Sequence, residues 1–230
     1  MSSSVIYELA QGFALQTNKL IFLTGKAGTG KTTFLHNLKK QTAKQTAIVA
    51  PTGVAVINAG GVTMHSFFQL PFTPFIPTAE GKKDLIEKSK MRSFKRKILQ
   101  ELELLIIDEI SMVRADTLDA IDTILRQVRF RHKEPFGGVQ VIFIGDMFQL
   151  SPVVSEEEWR FLSQFYESPY FFHSHAILQK PPVYIELDKI YRQSDEHFIR
   201  ILNEVRNNCL SASGLKFLQS KYNPLFVPPA

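Results

Sequence analysis

Short apolar runs recur along the chain, at 20–23, 47–50, 104–107, 139–144 and 183–187, and stretches of mixed polarity separate them. Each run has the length of a strand. Several are apolar at consecutive positions rather than alternating, as in strands covered on both faces. Between them the period changes. Residues 33–40 follow a glycine turn and read as a helix. Leu118, Ile121, Leu125 and Val128 form one apolar stripe at helical spacing. Phe198, Ile201, Leu202 and Val205 form another, behind the capping candidates Ser194 and Asp195. Strands alternating with helices predict an α/β fold: a parallel sheet of about five strands flanked by helices, joined by right-handed crossovers.

The segment 71–97 breaks this rhythm. Pro71, Pro74 and Pro77 open it, and Lys82, Lys83, Lys88, Lys90, Arg92, Lys95, Arg96 and Lys97 follow. It reads as an insertion made of a loop and then a basic helix, whose plainest reading is a solvated helix face. Residues 223–230 contain three prolines and read as a frayed end or the start of a linker. The remainder, 1–222, is expected to be one domain.

Composition narrows the class. The 230 residues are 44% hydrophobic, and a chain of that length buries roughly 70% of its unfolded surface. One cysteine, Cys209, leaves no internal disulfide. No run reaches the ~18 apolar residues of a spanning helix, and the first ten residues lack the pattern of a signal peptide. The expectation is a soluble cytoplasmic protein with no membrane partner. The net charge of +5 suits a polyanion without requiring one.

The chemistry begins after the first run. Gly25-Lys26-Ala27-Gly28-Thr29-Gly30-Lys31-Thr32 fits G-x-x-x-x-G-K-[ST] in full, with a strand before it and a helix after it. Glycines let backbone N–H groups converge on a phosphate, and the helix N-terminus adds its positive end. Gly25, Ala27, Gly28, Thr29, Gly30, Lys31, Thr32 and Thr33 are therefore the candidate nucleotide contacts. Lys31 supplies a mobile charge for the β- and γ-phosphates, and Thr32 offers a hydroxyl to Mg²⁺. The run at 104–107 ends in Asp108-Glu109. In open parallel sheets ligands bind beyond the carboxyl ends of strands. That places Asp108 as a Mg²⁺ ligand and Glu109 as the group that polarises an attacking water. An acid in that position favours hydrolysis over phosphate transfer to a bound hydroxyl. The predicted class is a P-loop NTPase using ATP and Mg²⁺.

Further segments carry a family resemblance: Ala50-Pro51-Thr52-Gly53-Val54-Ala55, Thr63-Met64-His65-Ser66-Phe67-Phe68, Asp108-Glu109-Ile110-Ser111-Met112-Val113, Phe136-Gly137-Gly138-Val139-Gln140, Gly145-Asp146-Met147-Phe148-Gln149-Leu150-Ser151-Pro152-Val153 and Tyr191-Arg192-Gln193. With these, the chain resembles the PIF1- and RecD-like superfamily-one helicases over residues 19–208. The resemblance implies a RecA-like motor domain that moves 5′ to 3′ on single-stranded DNA. It implies a second RecA-like domain completing the ATP cleft, whose motifs do not occur in this chain. It implies that Gln149 contacts the γ-phosphate and that Arg192 stabilises its charge, beside Lys31 and Glu109 as catalytic residues. It places Thr52, Gly53, His65, Ser66 and Phe67, with Phe68, along the DNA groove. The two rings and His65 fit a hydrophobic core equally well. Segment 71–97 stands where relatives carry a duplex-splitting wedge.

Two departures stand out. No Leu-Asn-x-Glu-Gln element precedes the phosphate loop, Gln11 being the nearest candidate but in the wrong context, so ATP and GTP are not told apart. Ser151 stands where the family has a proline. His173-x-His175 could ligate a metal, but without a third ligand nearby in sequence a structural role is expected. A monomeric helicase motor is the leading reading. The alternatives are an NTPase switch acting on a protein partner and a ring-forming ATPase.

Overall fold

The computed structural model describes residues 3–89, 91–189 and 195–226. The chain divides into two compact units, 1–190 and 191–230. The first is built on strands β1 (Ile21–Gly25), β2 (Thr46–Ala50), β3 (Val62–Thr63), β4 (Leu104–Ile107), β5 (Gln140–Ile144) and β6 (Val183–Leu187). They form one sheet in the order β3-β2-β4-β5-β1-β6, and every pairing is parallel. Helices α1 (Ser3–Gln16), α2 (Lys31–Gln41), α3 (Gly53–Ala59), α4 (Met64–Phe68), α5 (Ala79–Ser89), α6 (Ser93–Glu101), α7 (Ala115–Val128), α8 (Glu156–Leu162) and α9 (His175–Gln179) surround it.

The consecutive apolar runs have a simple cause. Neighbouring residues of a strand point to opposite faces, and both faces here are covered. Ile21, Leu23, Leu104, Ile106, Ile142 and Ile144 pack with Phe34, Leu35 and Leu38 of α2 and Ala10 and Ala14 of α1. Phe22, Leu105, Ile107, Val141 and Phe143 pack with Leu118, Ile121 and Leu125 of α7 and Leu99 of α6. The register Ile21↔Ile142, Leu23↔Ile144, Leu105↔Val141 and Ile107↔Phe143 keeps these two sets apart. The predicted α/β fold is present with a sixth strand, because the two-residue β3 is too short to leave a pattern.

Segment 71–97 is expected to be a loop and then a basic helix, and two helices stand where one is expected. It folds as a loop followed by α5 and the greater part of α6. Leu85 and Leu99 are buried in the core, with Ile86, Met91 and Ile98 packed against it. Lys83, Lys88 and Lys97 each sit four residues from an acid on their own helix, pairing with Glu87, Asp84 and Glu101. Its charge is thus in part locally compensated, as on a solvated helix face.

The polar side of α7 is not solvent-facing. Asp116, Asp119 and Asp122 are only 3%, 4% and 7% exposed. Each holds a different distant loop by a backbone N–H. Asp116 accepts from Phe75, Asp119 from His175 and Ala176, and Asp122 from Phe136. Arg114 and Arg126 neutralise the first and third. Tyr166 donates its hydroxyl to the second. α7 is therefore a rod to which three loops are tied, and His173 and His175 belong to this scaffold. His173 bonds Ser168, and His175 stacks on Tyr166.

The second unit holds α10 (Glu196–Arg206) and α11 (Ala212–Ser220). Asp195 caps α10 by accepting from the Phe198 N–H, as its sequence position predicted. Ser194 lies outside the described residues.

Candidate nucleotide and nucleic-acid site

β1 ends at Gly25, where φ is +149°, and a Cβ there would stand 2.5 Å from the Leu187 carbonyl of β6. The loop can therefore leave the sheet only through a glycine. Gly25→Ala is expected to cost about 1–3 kcal/mol, the usual scale for a forced backbone conformation. Urea unfolding showing no loss of stability would contradict this. Thr29 closes the loop, its N–H and its hydroxyl both donating to the Lys26 carbonyl at 3.2 and 2.9 Å. Gly30, at φ +91°, starts α2. Thr32 and Thr33 are exposed on its first turn. Lys31 folds back over the loop and donates to the carbonyls of Gly25 at 2.6 Å and Lys26 at 3.1 Å. Its ammonium is thus held against the loop's own backbone.

β4 delivers the acids. The Asp108 N–H still donates to Val49 in β2 at 2.9 Å. The next residue, Glu109, turns into the left-handed region at φ 51° and ψ 46°. A non-glycine residue held there stores about 1–3 kcal/mol, a feature concentrated at functional sites. Burial raises the pKa of Asp108, opposed by the backbone bond at Glu109 and the charges of Lys31 and His36. Burial also raises that of Glu109, and the charges of Asp108 and Asp146 add to the effect while Lys31 opposes it. A raised pKa makes Glu109 a better proton acceptor than an ordinary glutamate. Crowded acids of this kind call for a cation. Among the described residues no group of three His, Cys, Asp or Glu side chains could hold a metal unaided. Thr32 and Asp108 do supply the hard oxygen donors Mg²⁺ prefers, in the arrangement where phosphate oxygens complete its shell. The donor set fits the ion.

β5 delivers Asp146 and Gln149. Asp146 is buried, accepting from the Phe148 N–H at 3.1 Å and from the Gln149 amide at 3.4 Å. Gln149 is exposed. Asp146 is a site residue that sequence reasoning did not single out, although an acid one residue beyond Gly145 at a strand end was a visible signal. Arg192 lies outside the described residues. Gln11 donates to Gln41 at the far end of α2, about 15 Å along the helix from Lys31.

The groove candidates separate. Thr52 caps α3, accepting from Ala55 N–H, and Gly53 opens that helix exposed to solvent. Thr63 caps α4 by accepting from Ser66 N–H. Ser66 is exposed and His65 half-buried. Phe67 is a correction. It is 8% exposed, edge-on to Phe68, and covered by the Lys95 ammonium at 4.1 Å. Its ring packs in the core, as does that of Phe68. A cavity of about 590 Å³ elsewhere, lined by Lys82, Asp119, Asp122, Arg126 and His175, is not the nucleotide site, because its acids are committed to the loops of α7.

The family model described as PIF1-like helicase matches residues 2–213. ATP-dependent DNA helicase PIF1 of Saccharomyces cerevisiae is 40% identical over 195 residues, covering 81% of this chain and 21% of the relative. PIF1 of Homo sapiens is 36% identical over 200 residues, covering 84% and 28%. A crystal structure of Bacteroides Pif1 bound to single-stranded DNA is 44% identical with a TM-score of 0.84, covering 95% of this chain and 48% of that one. A second, in complex with ADP-AlF3 and single-stranded DNA, is 42% identical with a TM-score of 0.86, covering 98% and 50%. The chain thus spans about half the length of these solved structures and under a third of the curated relatives cited here.

Proposed function

The chain belongs to the PIF1-like helicase family, and on that footing we propose that it is the first RecA-like motor domain of an ATP-dependent DNA helicase. The observation that carries the reading is the convergence of Lys31, Asp108, Glu109 and the Asp146–Gln149 pair at the carboxyl ends of β1, β4 and β5. These residues fit Mg-ATP hydrolysis. The phosphate loop binds the β- and γ-phosphates through backbone N–H groups and Lys31. Thr32 and Asp108 would hold Mg²⁺, which supplies positive charge to the phosphate oxygens. Glu109 accepts a proton from the attacking water as its oxygen bonds to the γ-phosphorus and the bond to the β-phosphate oxygen breaks. Gln149, aligned by Asp146, registers the γ-phosphate. A second RecA-like domain closes the cleft, and Arg192 adds charge stabilisation. Single-stranded DNA is the partner, crossing Thr52, Gly53, His65 and Ser66. The two Bacteroides complexes with single-stranded DNA support that choice. Movement runs 5′ to 3′, the protein acts as a monomer, and segment 71–97 is a reduced wedge.

The half-cleft leads to a test. The isolated 230 residues should bind Mg-nucleotide and hydrolyse it slowly, and robust unwinding by this chain alone would refute the reading. A stable hexamer on gel filtration with Mg-nucleotide would favour the ring ATPase. Lys31→Ala should weaken Mg-nucleotide binding at least tenfold, since a charge-assisted contact contributes about 1.5–3 kcal/mol. Unchanged affinity in a calorimetric titration would remove Lys31 from the site.

A further inference from the structure

Phe72 is 90% exposed, although it lies in the same loop as the buried Phe75. It is not a loosely hanging ring. α4 ends at Gln69 in the left-handed conformation, φ 52°. The Leu70 N–H then donates to the His65 carbonyl at 3.0 Å. This reversal brings the chain back over its own helix. Pro71 fixes φ just before Phe72, and Asp116 fixes the loop just after it by accepting the Phe75 N–H at 3.0 Å. The Phe72 ring is left parallel to the His65 imidazole, with centroids 5.0 Å apart and planes at 10°. One face is covered by His65, and the ring remains largely open to solvent. Burial, with Arg114 adding to it and Asp116 opposing, lowers the His65 pKa. Its charged form is thereby disfavoured, and the imidazole serves as flat aromatic backing. A cleft of about 120 Å³ beside the pair includes Thr73 and Thr117 in its lining.

We propose that Phe72, backed by His65, is a base-stacking platform for single-stranded DNA. A rigid ring with an open face suits an unpaired base, since every base has a π-face, and a paired base inside a duplex cannot reach it. Exposed Ser66 on the same short helix and exposed Gly53 on α3 are the residue types that contact phosphates rather than bases. Phe72 is the most exposed of the large hydrophobic side chains among the described residues, and a stacked base would cover it. The inference rests on the reading of the chain as a single-strand-binding motor domain. It adds the ring that does the stacking in place of Phe67.

The test uses the full-length polypeptide that carries this chain and oligothymidylate as the probe, with binding followed by anisotropy. Phe72→Ala should weaken binding roughly 5- to 100-fold, and Phe72→Trp should restore most of it. Mg-nucleotide affinity should not change in either variant. In a background where Trp159 and any other tryptophan of the polypeptide are replaced by phenylalanine, the indole of Phe72→Trp should be quenched when the oligonucleotide binds and not when an abasic strand binds. Unchanged affinity of Phe72→Ala in a protein that binds DNA would overturn the platform alone. Equal weakening toward the intact and abasic strands would overturn it as well, making the ring a spacer. If Phe72→Ala kept DNA affinity but lost binding of a protein partner, the surface would be a protein-docking one and the proposal would fail. A wild-type protein that binds no single strand would sink both the platform and the helicase reading.

Discussion

Replacing Glu109 by glutamine in the full-length polypeptide is expected to reduce ATP turnover by roughly 10²–10⁴-fold while leaving Mg-nucleotide affinity within about threefold. The asymmetry follows from position. Glu109 sits one residue beyond Asp108, turned by a left-handed backbone away from the line of β4. The elements that hold phosphate, Lys31 and the loop amides, come from β1 and α2. Glutamine keeps the size and the hydrogen-bonding reach of the side chain but cannot take up a proton at neutral pH. The environment that raises the glutamate pKa, burial first and then the charges of Asp108 and Asp146, is what the substitution discards. Single-turnover hydrolysis separates the step from product release. Turnover retained within tenfold would remove Glu109 from its role as base.

The second large effect is structural. Asp119→Ala should destabilise the protein by about 3–5 kcal/mol, because three donors lose their acceptor at once: the N–H groups of His175 and Ala176 and the Tyr166 hydroxyl. Each buried donor left unpaired costs about 1–3 kcal/mol, and partial relaxation keeps the total below their sum. Asp119→Asn retains an acceptor oxygen and should lose less. Urea unfolding at constant m-value reads both. A cost under about 1 kcal/mol for the alanine variant would show that the start of α9 is held by its apolar contacts rather than by α7.

The contrast between these two residues shows what a sequence can disclose. The placement of Glu109 was legible because an apolar run ended in two acids, and a phosphate loop elsewhere in the chain gave those acids a candidate purpose. β1, β4 and β5 were legible for the same reason: strands covered on both faces write their burial as unbroken hydrophobicity. Asp119 was not. Acids at 116, 119 and 122 look like the solvent face of an amphipathic helix, and their partners stand 41, 57 and 14 residues away in the chain. Phe67 and Phe72 show the same blindness at the DNA side. Both are phenylalanines near one short helix, and only the chain reversal at Gln69 decides that one ring is core and the other faces water. Gln11 stood upstream of the loop in sequence, and α1, which no periodicity announced, carries it to the wrong end of α2. β3 is set by two residues at a sheet edge, too few for any pattern.

The measurement that tests the central claim most directly is ATP hydrolysis by the full-length polypeptide with and without a single-stranded oligonucleotide. The motor reading predicts strong stimulation by the strand, abolished in Glu109→Gln. Hydrolysis indifferent to both DNA and RNA would contradict it and turn the same phosphate loop and acids into a switch for a protein partner.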